Sequence, residues 1–254
     1  MQNQPRKPPS PLVQLVDILL IELTNWRWSW QSLLTIATIA PLFSVFALGF
    51  FARGSSTSTL AYILTGNAVL SLMFGVLDKV QAHFAYMRMF GTLDYFAALP
   101  IHKIYLVLAL VLGFLLLALP SLFTTIFVGA WLLQLTLHLS PWLLFVPILC
   151  ALPLASLGAL IGVSARNYQE GSAFTLLLSL ALTAIGPVIA PPERLPSFMV
   201  WLGRFSPATY AADAFRQTLF GPVTGALWFD LLVLVGFSVI LFGLTLRRMD
   251  WRAR

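Results

Sequence analysis

The chain is short of almost everything a water-soluble catalyst is built from. Only 9% of its 254 residues are charged, against roughly 25% for an ordinary soluble domain, so it could not cover a water-facing surface. Its single cysteine, Cys150, excludes an intrachain disulfide and a thiolate metal cluster. The three histidines, His83, His102 and His138, stand apart near loops and read as interfacial residues rather than ligands. No HExxH and no GxSxG is present. None of the 16 glycines is followed by lysine, so the GxxxxGKS/T phosphate cradle cannot occur. On these grounds no catalytic residue and no metal ligand is assigned.

What the chain has is length of apolar run. Six stretches stand out, at about 33–51, 60–77, 104–133, 142–163, 173–190 and 227–246. Crossing a bilayer core of about 30 Å takes roughly 20 apolar residues in a helix, and only helices or closed barrels satisfy their backbone there. Barrel strands alternate every second residue; these runs are continuous, so the expected fold is an all-α polytopic membrane protein with six transmembrane helices. The spans and their loops leave no room for a separate soluble domain. The whole chain, 1–254, is expected to be one transmembrane domain. Its parts are a cytosolic tail and interfacial helix (1–30), spans one to five (31–190), an outer re-entrant segment (191–226), and span six with a basic cytosolic tail (227–254).

The net charge of +6 could suggest nucleic acid, but its placement argues for a membrane. With the N-terminus inside, eleven of the 15 Lys and Arg are cytosolic, and only Arg53, Arg194, Arg204 and Arg216 lie outside. That bias is what the positive-inside rule selects, and it places both termini in the cytosol. No basic stripe is interleaved with exposed aromatics, as a nucleic-acid surface would need.

Residues 1–11 are Pro-rich and polar, a mobile tail by composition. A cleavable leader is not expected, because Asp17, Glu22, Asn25 and Arg27 interrupt the stretch that would be its apolar core. Residues 12–28 instead predict an elbow helix lying along the membrane. Gln14, Asp17, Glu22, Thr24 and Asn25 share one arc, intruded on by Ile18 and Ile21, and Leu12, Leu15, Val16, Leu19, Leu20 and Leu23 share the other. Trp26, Trp28 and Trp30 follow at headgroup level. Asn67 and Thr65 in the second span are expected to face other helices. Pro120 is expected to kink the third span, and Gly158 and Gly162 to permit close helix contact in the fourth. Residues 165–171 form a tight inner turn, and Gly186-Pro187 ends the fifth span. The stretch 191–226 is too greasy for a free loop and too short to cross and return, so short helices dipping into the outer leaflet are expected.

The spans lack the means to drive transport. Asp78 and Asp230 lie near span ends, and no carboxylate stands mid-membrane for ion coupling. No polar lining or charged ring suggests a channel. An energy source must then be a partner, which draws attention to the inner loop 86–103. There Gly91 breaks a helix, Thr92 can cap a new one, Asp94 suits its positive end, and Pro100 stops it two turns later. Leu93, Tyr95, Phe96 and Leu99 would form an exposed apolar knob between Arg88 and Lys103, fit to dock in a groove of another protein. The competing reading is an interfacial helix resting on lipid.

Two passages resemble a known family, the membrane subunits (permeases) of type-2 ATP-binding-cassette (ABC) transporters. The loop GTLDYFAALPI is similar to the family's coupling region: Gly91, Thr92, Leu93, Asp94, Pro100 and Ile101 match, and Phe96 and Leu99 depart. LPSFMVWLGRFSPATYAADAFRQ resembles the family pattern after the fifth span: Pro196, Pro207, Tyr210, Asp213 and Arg216 match, and Ser206 stands where asparagine is usual. The resemblance implies a permease of an ATP-driven exporter in the bacterial plasma (inner) membrane. It implies pairing with a second copy or a sister permease, and two ATP-binding subunits that receive the coupling helices. ATP and Mg would sit on those subunits, with no cofactor bound by this chain. Amphipathic, lipid, lipid-linked glycan or drug-like cargo would pass at the seam between copies. The same resemblance implies an outer gate made of Pro196, Ser206, Pro207, Tyr210, Asp213 and Arg216. On chemistry alone, Asp213 and Arg216 at i and i+3 could merely pair with each other. An ion-coupled carrier and a lipid-acting membrane enzyme are the other function classes weighed.

Overall fold

The structure, a computed structural model, describes residues 10–26, 30–99 and 101–249. The expectations for the tail 1–9, for Arg27 and Trp28, for Pro100 as a helix stop, and for the basic end 250–254 lie outside those residues. Among the described residues every regular element is helical. In chain order they are α1 (Pro11–Trp26), α2 (Trp30–Phe51), α3 (Thr57–Leu72), a π-helical segment (Met73–Leu77), α4 (Asp78–Met89), α5 (Thr92–Ala98) and α6 (Lys103–Leu132). A 3-10 turn (Pro141–Leu144) leads into α7 (Val146–Ser164), and then come α8 (Tyr168–Ala184), α9 (Ser197–Gly203), α10 (Pro207–Leu219) and α11 (Gly225–Arg248).

Five helical stretches are long and apolar enough to cross a membrane: Leu34–Phe51, Thr57–Met89, Lys103–Leu132, Pro141–Ser164 and Gly225–Arg248. The fifth apolar run of the sequence, 173–190, is shorter as a helix than as a run. α8 has 17 residues and stops at Ala184. Ile185 turns extended, Gly186 takes a φ of +102°, and Val188 N–H donates to the Gly186 carbonyl. Only glycine adopts that φ without strain. α6 runs as one helix through Pro120, the position expected to kink it.

α3, the π segment and α4 form one rod of 33 residues, about 50 Å at 1.5 Å per residue. It defines two ends of the molecule, one near Thr57 and the other near Met89. α7 packs against this rod and against α11. The two glycines singled out from the sequence make that contact possible. A Cβ on Gly158 would strike the Leu77 carbonyl, and one on Gly162 would sit 2.6 Å from the Gln81 carbonyl oxygen. Small residues let helix backbones approach where no water-driven force operates. The π segment widens the rod by one residue at this contact; π turns recur at functional sites. On its other flank Gly75 meets Ala118, and Ser71 Oγ donates to the Ala37 carbonyl of α2 at 3.1 Å. Asn67 is fully buried between helices and bonds the Ile63 carbonyl at 2.8 Å, as expected of an amide in a span.

α1 lies on α6. Its buried stripe draws on both arcs: Gln14, Ile18 and Glu22, at i, i+4 and i+8, are buried, Leu19 and Leu23 pack partly buried on the core, and Asp17 and Thr24 are exposed along with Leu12, Val16 and Leu20. Gln14 Oε1 accepts from the backbone N–H of His102 at 3.3 Å. Ile18, which intrudes on the polar arc, is an apolar contact of that stripe, beside Leu19 and Leu23. Burying two polar side chains costs free energy unless they find partners, so a helix docked this way is placed specifically.

Candidate functional site

Polar chemistry gathers at the two ends of the rod. At the Met89 end, Phe90 closes α4 with φ −95° and ψ 5°, and Gly91 turns left-handed at φ +70°. That φ favours glycine and re-aims the chain sharply. Gly91 itself occupies the N-cap of α5; Thr92, expected to cap it, is the first helical residue and makes no capping bond. The Gly91 carbonyl accepts from the N–H of Asp94 and Tyr95, and Asp94 sits in the first turn as expected. α5 ends at Ala98, with Leu99 extended at ψ 153°, the conformation a following proline imposes.

The knob is smaller than the sequence suggested. Tyr95 is 65% exposed and Leu99 38%. Phe96 is buried at 7%, and Leu93 packs half-buried on the core. Phe96 therefore anchors α5, and Tyr95 and Leu99 present it. The flanking cations are also committed. Arg88 Nη1 donates to the carbonyls of Val163 at 2.9 Å and Ala165 at 2.7 Å, satisfying the C-terminus of α7. Lys103 Nζ does the same for the Leu246 carbonyl of α11 at 2.7 Å. Neither is a loose charge awaiting a partner; both lash the neighbouring helix ends to α5's flanks. α1, α4 and α5 enclose a cavity of about 330 Å³ lined by Glu22, His83, Tyr86, Phe90, Tyr95 and Phe96, among others.

At the Thr57 end, the segment after α8 folds into α9 and α10. Pro196 is the N-cap of α9, Ser206 that of α10, and Pro207 the first residue of α10. Ser206 is buried, makes no side-chain cap, and its Oγ has no hydrogen-bond partner. Tyr210 OH donates to the Arg204 carbonyl at 2.8 Å, closing the α9–α10 corner. Gly186 and Gly203 touch there; a Cβ on Gly203 would lie 2.6 Å from Gly186 Cα.

Arg216 is the hub. It pairs with Asp213, as the i, i+3 spacing allowed. It also donates to Thr65 Oγ1 at 3.2 Å, to the Pro187 carbonyl at 3.1 Å and to the Val188 carbonyl at 3.4 Å. Its guanidinium lies 3.8 Å from the centre of the Tyr62 ring. A fork of five donors on a stacking plane suits such a junction, and a lysine does not. The reading in which Asp213 and Arg216 only pair with each other is therefore too small. Arg216 ties α10 to α3 and to the turned end of α8. A second stitch joins α10 to α11: Gln217 Nε2 donates to Asp230 Oδ2 at 2.8 Å, and Thr224 Oγ1 donates to Gln217 Oε1 at 3.1 Å. A third holds the connection before α7, where the N–H groups of His138 and Ser140 donate to the Leu219 and Thr218 carbonyls.

Tyr62, Gln217, Gly203, Glu22 and the Glu22–His83 contact were not found from sequence. Tyr62 stands one turn before Thr65 on α3, but nothing local announces an arginine 151 residues beyond Thr65. Among the described residues no group of three or more His, Cys, Asp or Glu could hold a metal ion.

The architecture defines a class: a helical, multi-pass membrane protein whose charged side chains gather toward its two ends. Residues 14–220 match the family model described as ABC-2 type transporter. With most of its length matched, the chain belongs to that family. No curated protein matches it. Membership makes the chain a permease component of an ABC transporter, a partner of an ATP-binding subunit and not the ATPase itself.

Proposed function

We propose that the chain is the membrane-spanning subunit of an ATP-driven exporter and that α5 is its coupling helix. The observation that carries this is the placement of α5. It sits on a left-handed Gly91 turn at the tip of a 33-residue rod, anchored by Phe96 and offering Tyr95 and Leu99 outward. A push on α5 has a stiff path. Arg88 passes it to the α7–α8 turn, and the close Gly158 and Gly162 contacts pass it from rod to α7. The far end of the same rod carries Thr65 and Tyr62, which hold Arg216.

In this reading α2, the rod, α6, α7, α8 and α11 are six spans, α1 is an interfacial elbow, and α9 and α10 dip back from the outer face. The α5 end is cytosolic, in keeping with the bias of Lys and Arg toward that side. The membrane is a bacterial plasma (inner) membrane. Two ATP-binding subunits, with ATP and Mg between them, would seat α5 of this chain and of a second copy or sister permease. Pro196, Ser206, Pro207, Tyr210, Asp213 and Arg216 then belong to the outer gate. An amphipathic, lipid-linked or drug-like cargo would cross at the seam between copies, since the spans offer an apolar lining and no mid-membrane carboxylate for ion coupling.

Tyr95→Asp tests the reading, because the ring is exposed and its loss spares the core. Leu93→Asp is a poorer probe, since Leu93 packs on that core. In the assembled complex, Tyr95→Asp and Asp94→Arg are expected to lower both co-purification of the ATP-binding subunit and ATP-dependent transport by tenfold or more. Membrane insertion and monodispersity should not change. Wild-type co-purification and transport in both variants would overturn the assignment of α5.

A further inference from the structure

The cavity between α1, α4 and α5 holds an acidic group that the coupling reading does not use. Glu22 reaches it from α1 and is 3% exposed as a side chain. Its Oε1 lies 3.4 Å from His83 Nε2, and its Oε2 is buried without a hydrogen-bond partner. A carboxylate taken out of water and left half-satisfied is costly unless something completes it. The rest of the wall is mostly aromatic, with Ile21, Met87 and Thr92 beside the rings. Tyr86 stacks between Tyr168 and Phe90 at centroid distances of 4.9 and 6.1 Å, and Tyr95 meets Phe96 edge-on at 5.8 Å. Phe90 and Tyr95 form an exposed rim with Ile21.

We propose that this cavity binds the ammonium group of an amphipathic amine, such as an ethanolamine lipid head group. An anion would be repelled by Glu22. A purely apolar guest would leave its Oε2 unpaired. A hard divalent cation wants six or more oxygen ligands, carboxylates foremost, and here one carboxylate, the Thr92 hydroxyl and two phenols share the wall with an imidazole, two phenyl rings and two aliphatic side chains. An ammonium carries N–H donors for the free carboxylate oxygen and positive charge for the ring faces. The volume, about 330 Å³, is at the small end of ligand pockets, roughly 300–1,000 Å³. It suits a head group rather than a whole drug. The apolar rim suits the hydrocarbon that follows. A guest here touches α1, α4 and α5 together, so it braces α5 against the elbow helix. The inference uses the cavity alone and stands whether or not α5 docks an ATPase.

The purified full chain in detergent is titrated with dioleoyl phosphatidylethanolamine and, separately, with dioleoyl phosphatidylglycerol, and bound lipid is counted by native mass spectrometry. The ethanolamine lipid is expected to bind the wild type at least fivefold more tightly. Glu22→Gln, which removes the charge and keeps the shape, should abolish that preference. Phe90→Ala, which removes a ring that is 71% exposed and stacks on Tyr86, should weaken ethanolamine binding at least threefold, and it decides the matter if Glu22→Gln proves unstable. Dodecylamine distinguishes the sources: displacement of the lipid assigns a lipid head group, and dodecylamine binding without lipid binding assigns a free amphipathic amine. Equal binding of the two lipids without dodecylamine binding, or an undiminished preference in folded Glu22→Gln or Phe90→Ala, overturns the proposal. So does a loss of ATP-binding-subunit capture in Glu22→Gln with no amine or lipid preference in the wild type, which would assign the carboxylate to a lysine of that subunit.

Discussion

Replacing Arg216 with methionine keeps the stem's bulk and removes every polar contact of the hub. The Asp213 pair contributes little to the loss. The Asp213 side chain is 37% exposed, and such pairs are worth about 0–1 kcal/mol. The carbonyls of Pro187 and Val188 matter more. Gly186 has turned the chain out of helix there, so they have no i+4 donor, and Val188 is fully buried. A bond from a charged donor is worth about 1.5–3 kcal/mol, and the stack on Tyr62 adds about 0.5–2. Thr65 loses least, because its own hydroxyl still donates to the Ala61 carbonyl at 2.9 Å. Shared geometry makes these contributions non-additive, and we take about 3 kcal/mol for the whole. At about 2–4 °C per kcal/mol for a chain of this size, Arg216→Met should lower the melting temperature by roughly 6–12 °C. Asp213→Asn should lower it by no more than about 4 °C, and Arg216→Lys should fall between, since an ammonium cannot fork to both carbonyls and stack. The assay is thermal unfolding of the purified chain in one detergent, read by intrinsic fluorescence or by loss of the monodisperse peak. Equal shifts for Arg216→Met and Asp213→Asn would mean that only the i, i+3 pair matters, and the hub argument fails.

Gly158→Ala drives a methyl into the Leu77 backbone, which cannot yield as a side-chain tip can. A loss of about 1–3 kcal/mol is expected, whereas Gly236→Ala, with nothing within 4 Å of the new Cβ, should be neutral or stabilising by up to about 1 kcal/mol. Matching melting temperatures for the two variants would refute the close-contact reading of α7 on the rod. Arg88→Met frees the Val163 and Ala165 carbonyls. Hydrogen exchange at residues 164–168 should rise about tenfold, the equivalent of about 1.4 kcal/mol of local stability. Unchanged exchange there would show that Arg88 does not hold that turn.

The fourth span shows how much was legible. Gly158 and Gly162 lie four apart in an apolar run, a local pattern with a direct packing consequence, and the structure seats the rod against both. The Gly91 break was legible for the same reason: a glycine after a helix and before a short apolar segment asks for a left-handed turn. The elbow helix was legible as amphipathic but not in its facing. Periodicity separates two arcs; only the neighbours decide which residues meet protein, and the buried Gln14, Ile18 and Glu22 lie on a stripe that leaves Asp17 and Thr24 exposed. Phe96 and Tyr95 are adjacent aromatics that composition cannot rank, yet one is buried and the other exposed.

By itself, then, the sequence determined the solvent, the helical class and the positions of the breaks. Bilayer thickness and backbone hydrogen bonding leave continuous apolar runs no other outcome. The partners of the few charged side chains were decided only by the tertiary structure. Arg216 finds Thr65 and Tyr62 on α3, Arg88 finds the end of α7, and Glu22 finds His83 on α4. Each of those pairings spans tens of residues or more, and in a low-dielectric interior a charge is settled by whatever donor or acceptor packing brings beside it.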